Sequence, residues 1–164
     1  MAFNTIKLKK YTDIVEEIEA HETIYPGSLL YLNSDDEVAL HATAGGNVSP
    51  QMFALEDELR GNGINDAYSS GDMVQVWIAT RGEVVYAILA DGNDVNIGDA
   101  LESNGAGYLQ KHTPLYASSD PGHETRSLYS NPVVGIALEN VDSSNDSSGV
   151  DFLSINKRIK VRIA

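Results

Sequence analysis

Cysteine is absent from these 164 residues. That removes disulfides and thiolate chemistry, and leaves packing or association to stabilise the fold. Basic residues are scarce, with 11 Lys and Arg against 24 Asp and Glu and a net charge of −13. A field of that sign opposes nucleic acid and anionic membrane, where contacts from cations to phosphate dominate affinity. Neither is therefore expected as a partner. No apolar run approaches the ~18–20 residues that span a bilayer. The lysines near the start are not followed by the apolar stretch of a secretory signal, so synthesis in the cytoplasm is expected. Tryptophan occurs once, at position 77. The length suits one domain, or one domain with an arm, since domains run to about 100–200 residues.

The few basic residues are not spread evenly. Lys7, Lys9 and Lys10 crowd the first ten positions, and Lys157, Arg158, Lys160 and Arg162 crowd the last eight. All 24 acids lie between. Both ends also alternate. Ile6 and Leu8 interleave with Lys7 and Lys9, and Ile159, Val161 and Ile163 with Lys160 and Arg162. A period of two marks a strand with one apolar and one polar face. Two readings stay open. The basic faces form a docking device on an acidic particle, or they blunt the edges of a sheet against aggregation.

The rest of the chain reads as mainly β. Leu29–Leu32 and Val38–Ala42 are short strands joined by the polar turn 33–37. Met73–Thr80 and Val84–Leu89 are expected to pair as a hairpin around Arg81-Gly82, where glycine supplies positive φ. Met73–Thr80 is apolar on much of both faces, so it is expected to be central or covered by another subunit. Ala100–Ser103, Tyr108–Lys111, Val133–Glu139 and Ile155–Ile163 complete the strands. Such spacing suggests a compact β-barrel or β-sandwich. Helix is limited to short turns. Ser49-Pro50 could cap a helix running to Arg60, with a strand as the alternative, and Tyr11–Ala20 is equally ambiguous. Residues 113–131 and 142–149 read as irregular loops. An internal echo aligns Ile24, Gly27, Leu30, Asn33, Val38 and His41 with Val95, Gly98, Leu101, Asn104, Leu109 and His112. Gly71-Asp72 resembles Gly98-Asp99 in the same way. This echo is read either as two related hairpins or as chance.

No catalytic constellation emerges. His21, His41, His112 and His123 are scattered, and no pair has the spacing of two ligands on one helix face. There is no G-x-S-x-G elbow and no phosphate loop. The run Asp91 to Glu102 brushes a calcium-loop pattern but has Asn96 where glycine is needed. Asp142, Asn145, Asp146 and Asp151 sit in a Ser-rich segment that reads as a solvated loop. No enzyme activity, metal or cofactor is expected.

Four phrases, in order, resemble the head decoration (cement) proteins of tailed bacteriophages. They are Phe53-Ala54-Leu55-Glu56-Asp57-Glu58-Leu59-Arg60-Gly61-Asn62-Gly63 continuing to Asp72, Gly82-Glu83-Val84-Val85-Tyr86-Ala87, Ile97-Gly98-Asp99-Ala100-Leu101-Glu102-Ser103-Asn104-Gly105-Ala106-Gly107-Tyr108-Leu109, and Val134-Gly135-Ile136-Ala137-Leu138-Glu139-Asn140-Val141-Asp142. The basic strand Arg158–Ile163 completes the pattern. The resemblance implies a small β-rich protein on the outer surface of a capsid, where it holds subunits of the major capsid protein together after head expansion. It also implies homotrimers at local threefold axes.

On that basis an extended N-terminal arm over 1–20 and a β-rich domain over 21–164 are expected. Ile6, Lys7, Leu8, Lys9, Lys10, Arg158, Lys160 and Arg162 are the candidate capsid contacts, and Trp77 and Tyr86 the candidate oligomer-interface residues. The alternatives are a tail or fibre-attachment domain and a calcium-dependent surface-binding module.

Overall fold

The computed structural model describes residues 3–113, 131–143 and 157–164. Most of the expected loops 113–131 and 142–149, together with His123, Asn145, Asp146 and Asp151, lie outside them. The strands run in chain order as β1 (Lys7–Lys9), β2 (Val15–Glu19), β3 (Leu29–Leu32), β4 (Val38–Leu40), β5 (Gln51–Ala54), β6 (Met73–Ala79), β7 (Val84–Leu89), β8 (Asp94–Val95), β9 (Ala100–Ser103), β10 (Leu109–Lys111), β11 (Gly135–Ala137), β12 (Val141–Asp142) and β13 (Lys157–Ile163). Among the described residues the only helix is a 3-10 turn at Glu58–Arg60. The fold is mainly β, as expected.

The strands form two rings. In the C-terminal barrel the order is β7-β10-β9-β11-β13, and β13 pairs back onto β7 to close it. The N-terminal sheet runs β2-β6-β5-β3-β4, and a parallel bridge from Ala20 to Val38 joins its two ends. The two rings follow one circuit. β2, β6, β5, β3 and β4 occupy the places of β7, β13, β11, β9 and β10, with each pairing parallel or antiparallel alike. The registers also agree. Leu30 opposite Met52 matches Leu101 opposite Gly135, Phe53 opposite Trp77 matches Ile136 opposite Arg162, and Ala20 opposite Val38 matches Leu89 opposite Leu109. The echo in the sequence is therefore a structural repeat of a whole ring.

Alternation fills the rings. In the C-terminal barrel Val85, Ala87 and Leu89 of β7 join Ile159, Val161 and Ile163 of β13 in one core. Inside the N-terminal ring Met52, Ala54, Val74 and Val76 form a second core with Leu30 and Val38. The residues between them, Phe53, Leu55, Trp77 and Ala79, point outward and join the core of the C-terminal barrel. β6 is apolar on both faces because one face lines its own ring and the other packs on the neighbouring barrel.

One local expectation is corrected, and one open alternative is decided. β6 and β7 do not form a hairpin. β6 is flanked by β2 and β5, and β7 by β13 on one edge and by β1 and β10 on the other, so neither has an edge left for the other. The turn between them is a corner that takes the chain from one ring to the next. Of the two readings that follow Ser49-Pro50, the strand holds and the helix does not. That peptide bond is cis, and the chain proceeds as β5. The period of residues 52–55 is two, which places successive side chains in different cores, as a helix would not.

The corner is held by Glu83. Its N–H donates to the Thr80 carbonyl (3.1 Å) and its Oε2 accepts from the Thr80 N–H (2.6 Å), with Gly82 at φ +90°. The same turn precedes β6 and β9, where Asp72 accepts from the Ser69 N–H and Asp99 from the Asn96 N–H. These three acids cap turns of the type that places glycine third.

Candidate functional site

The two basic ends meet on the outside of the C-terminal barrel, one on each side of β7. β1 pairs with its first half and β13 with its other edge, so Lys9 and Arg162 both lie opposite Val84. Residues 1–20, expected as an arm, supply β1 to the C-terminal barrel and β2 to the N-terminal ring, in their described part. Ile6 is fully buried between them, and its N–H donates to Glu56 Oε2 (3.1 Å). Its side chain faces the core rather than a partner.

The remaining candidates divide by what they touch. Lys7 lies 3.1 Å from Asp13, and Lys10 also pairs with Asp13, whose carboxyl is held below its usual range by Lys10 first and Lys7 second. Leu8 is half-buried. Arg158 turns inward and donates to the carbonyls of Pro26 (3.0 Å) and Ile64 and to Asn65 Oδ1 (2.9 Å). Burial lowers its pKa from the ordinary arginine value. Lys160 lies 3.4 Å from Glu139 and 5.2 Å from the Phe3 ring centre. Lys9 lies over the Tyr11 ring at 5.1 Å. The guanidinium of Arg162 is exposed and meets no partner among the described residues.

What sequence reasoning missed is the corner that brings Lys9 and Lys10 beside Arg81. Glu83 is fully buried, and its Oε1 accepts from the N–H groups of Tyr11 (2.7 Å) and Thr12 (2.8 Å) and from the Thr12 hydroxyl (3.2 Å). Burial alone would raise its pKa. The N–H donors of Thr80, Thr12 and Tyr11 outweigh that, and the carboxyl is net lowered. This one side chain pins Tyr11, 65% exposed, above Gly82. Lys9, Lys10, Tyr11 and Arg81 thus share one end of the molecule, with Arg162 beside them. The signal was present in Arg81-Gly82-Glu83, a third instance of the Gly-acid phrase.

The two oligomer-interface candidates lie elsewhere. Trp77 is fully buried between the rings and offers no surface to another chain. Tyr86 is half-buried on the outer face of the barrel, edge-on to Phe3 at 5.3 Å, and burial raises its phenol above the usual value.

The histidines serve local contacts. His21 bonds Glu37 (2.7 Å), which raises its pKa, and His41 bridges Ser103 (2.7 Å) and the Asn47 carbonyl (2.8 Å). Glu102, the last position of the calcium-like run, is instead held by His112 (2.7 Å), Gln110 (2.9 Å) and Asn131 (3.0 Å). Among the described residues no three His, Asp or Glu side chains gather as metal ligands. No helix among them is long and apolar enough to cross a membrane.

No protein-family model matches the chain, and no curated protein matches it. Among solved structures it is similar to the crystal structure of the head fiber gp8.5 N base of bacteriophage phi29. The identity is 15% and the TM-score 0.52, over 93% of this chain and 95% of that one. The likeness is one of fold, and it runs through both rings.

Proposed function

We propose that the chain is a structural protein of a tailed-phage virion that binds the outer surface of the expanded head and stabilises it, as trimers at local threefold axes. The observation that carries this reading is a localised basic, aromatic corner on an otherwise acidic β body whose fold matches a head-fiber base along nearly its whole length. The acidic body keeps decorated particles apart, since like charge opposes association. The corner of Lys9, Lys10, Tyr11 and Arg81 faces the shell. Tyr11 supplies a rigid anchor, as aromatic residues do in interface centres, and the cations supply orientation and encounter rate. Major capsid protein is the partner. Many symmetric copies convert weak single contacts into firm retention, because avidity multiplies without new contacts.

The test is charge reversal. Lys9→Glu, Lys10→Glu and Arg81→Glu together should weaken binding to expanded, undecorated heads at least about tenfold, and wild-type binding should itself fall with salt. A variant that folds and sediments with heads as wild type does would refute the corner as the contact. The name of the structural neighbour favours one second reading, a base that carries a fibre on the head. Electron microscopy of decorated heads separates the two, since a base would carry projecting fibres.

A further inference from the structure

The repeat makes a specific comparison possible. Each ring has an end where the equivalent residues Glu16, Ile18, Leu30, Leu32, Met52 and Ile78, or Val85, Ala87, Leu101, Ser103, Gly135 and Ile163, surround the interior. In the C-terminal barrel that end is closed. All six residues are buried, and their core continues into Trp77, Phe53 and Leu55 on the outer face of the N-terminal ring. An Ala44–Asn104 bridge and a bond from the Gly45 N–H to the Ser103 carbonyl (2.8 Å) seal the rim. In the N-terminal ring the same end is open. It forms a groove of about 350 Å³, with Leu32 47% and Tyr31 38% exposed at its mouth.

The plug has an equivalent too. The positions of Trp77, Phe53, Leu55 and Ala79 correspond in the C-terminal barrel to Arg162, Ile136, Leu138 and Ala164. These form an outer face that is exposed or half-buried. Each half of the interface has changed one residue in a reciprocal sense. The socket position of Val85 is Glu16 in the open ring, and the plug position of Trp77 is Arg162 on the free face.

We infer that the open end of the N-terminal ring is a socket for the β11–β13 face of a second copy of this chain. Copies then join head to tail, with Arg162 meeting Glu16 and Ile136 and Leu138 covering Ile18, Met52 and Ile78. Such a contact is heterologous, so it closes into a ring or extends, according to the rotation between copies. It assigns Arg162 to self-association and leaves Lys9, Lys10 and Arg81 to the shell. It does not rest on the capsid reading, because it is measured without heads.

The chain has no native cysteine, so introduced cysteines report the contact cleanly. Full-length Glu16→Cys and Arg162→Cys proteins, mixed under mild oxidation, should form a disulfide-linked pair. Glu16→Cys mixed with Ile97→Cys, an exposed control position, should not. In sedimentation equilibrium Glu16→Arg and Arg162→Glu should each weaken association at least tenfold, and the two changes combined in one chain should restore it. A wild-type chain that stays monomeric at millimolar concentration would overturn the inference. So would Glu16→Cys protein that links to itself or to Ile97→Cys as readily as to Arg162→Cys. Cross-linking without head binding would remove the proposed function and leave this contact standing.

Discussion

Removing the Glu83 carboxylate should destabilise the protein by about 3 kcal/mol. Glu83 has no exposed surface and accepts from the backbone N–H groups of Tyr11, Thr12 and Thr80. A buried donor left without a partner costs roughly 1–3 kcal/mol. Glu83→Ala strands three part-buried donors and also removes a desolvated charge, so the low end of that range applies to each. For a chain of this size, about 3 kcal/mol lowers the melting temperature by roughly 6–12 °C. Glu83→Gln can keep its carbonyl on Tyr11 and Thr12 and turns its NH2 toward the Thr80 N–H alone, so it should lose about 1 kcal/mol. The effect has a definite pH dependence. The folded carboxyl is lowered below its ordinary value. Its stabilisation is therefore fully present above that ordinary value and fades as the pH falls through the lowered one. Thermal melts of wild type and Glu83→Gln between pH 7 and pH 2 should converge at the acid end. A difference under about 0.5 kcal/mol at pH 7, or one that persists unchanged into acid, would refute this account of the corner.

Other substitutions separate packing from strain. Trp77→Ala should cost about 3–5 kcal/mol, the range for truncating a buried aromatic. Trp77→Phe should cost much less, because the indole Nε1 has no acceptor among the described residues and its loss strands nothing; equal losses in denaturant melts would show that the indole makes a contact that the Phe ring cannot replace. Gly27 and Gly98 occupy equivalent turns at φ +92° and +94°, but a Cβ on Gly27 would lie 2.9 Å from the Tyr86 carbonyl while one on Gly98 meets nothing. Gly98→Ala should cost about 1 kcal/mol from backbone strain alone and Gly27→Ala clearly more; the reverse order in chemical denaturation would contradict the packing of the two rings.

Much of the strand set was legible. Leu29–Leu32 and Ala100–Ser103 fall where alternation and glycine punctuation place them, since both depend on local pattern. The equivalent hairpin turns were legible too. Asn33 accepts from the N–H groups of Asp35 and Glu37, and Asn104 from those of Ala106 and Tyr108. Partnership was not legible. Nothing in Met73–Leu89 tells a hairpin from a corner, because a tight Gly turn suits both. The difference lies in which distant strands claim the edges. The repeat showed as a phrase around two hairpins, but its extension to β5, β6, β11 and β13 rests on register, which diverged side chains conceal. The basic ends suit a docking device or a blunted sheet edge equally well. In the fold Arg158 is an internal strut and Ile6 a core residue, because period two sets which face a side chain takes but not what covers that face.

The central claim is that this molecule coats an expanded phage head, and co-sedimentation tests it most directly. Purified protein should bind expanded, undecorated heads saturably, at a copy number matching the threefold positions, and should fail to bind unexpanded proheads. Absence of binding to expanded heads, or equal binding to both, would contradict the account.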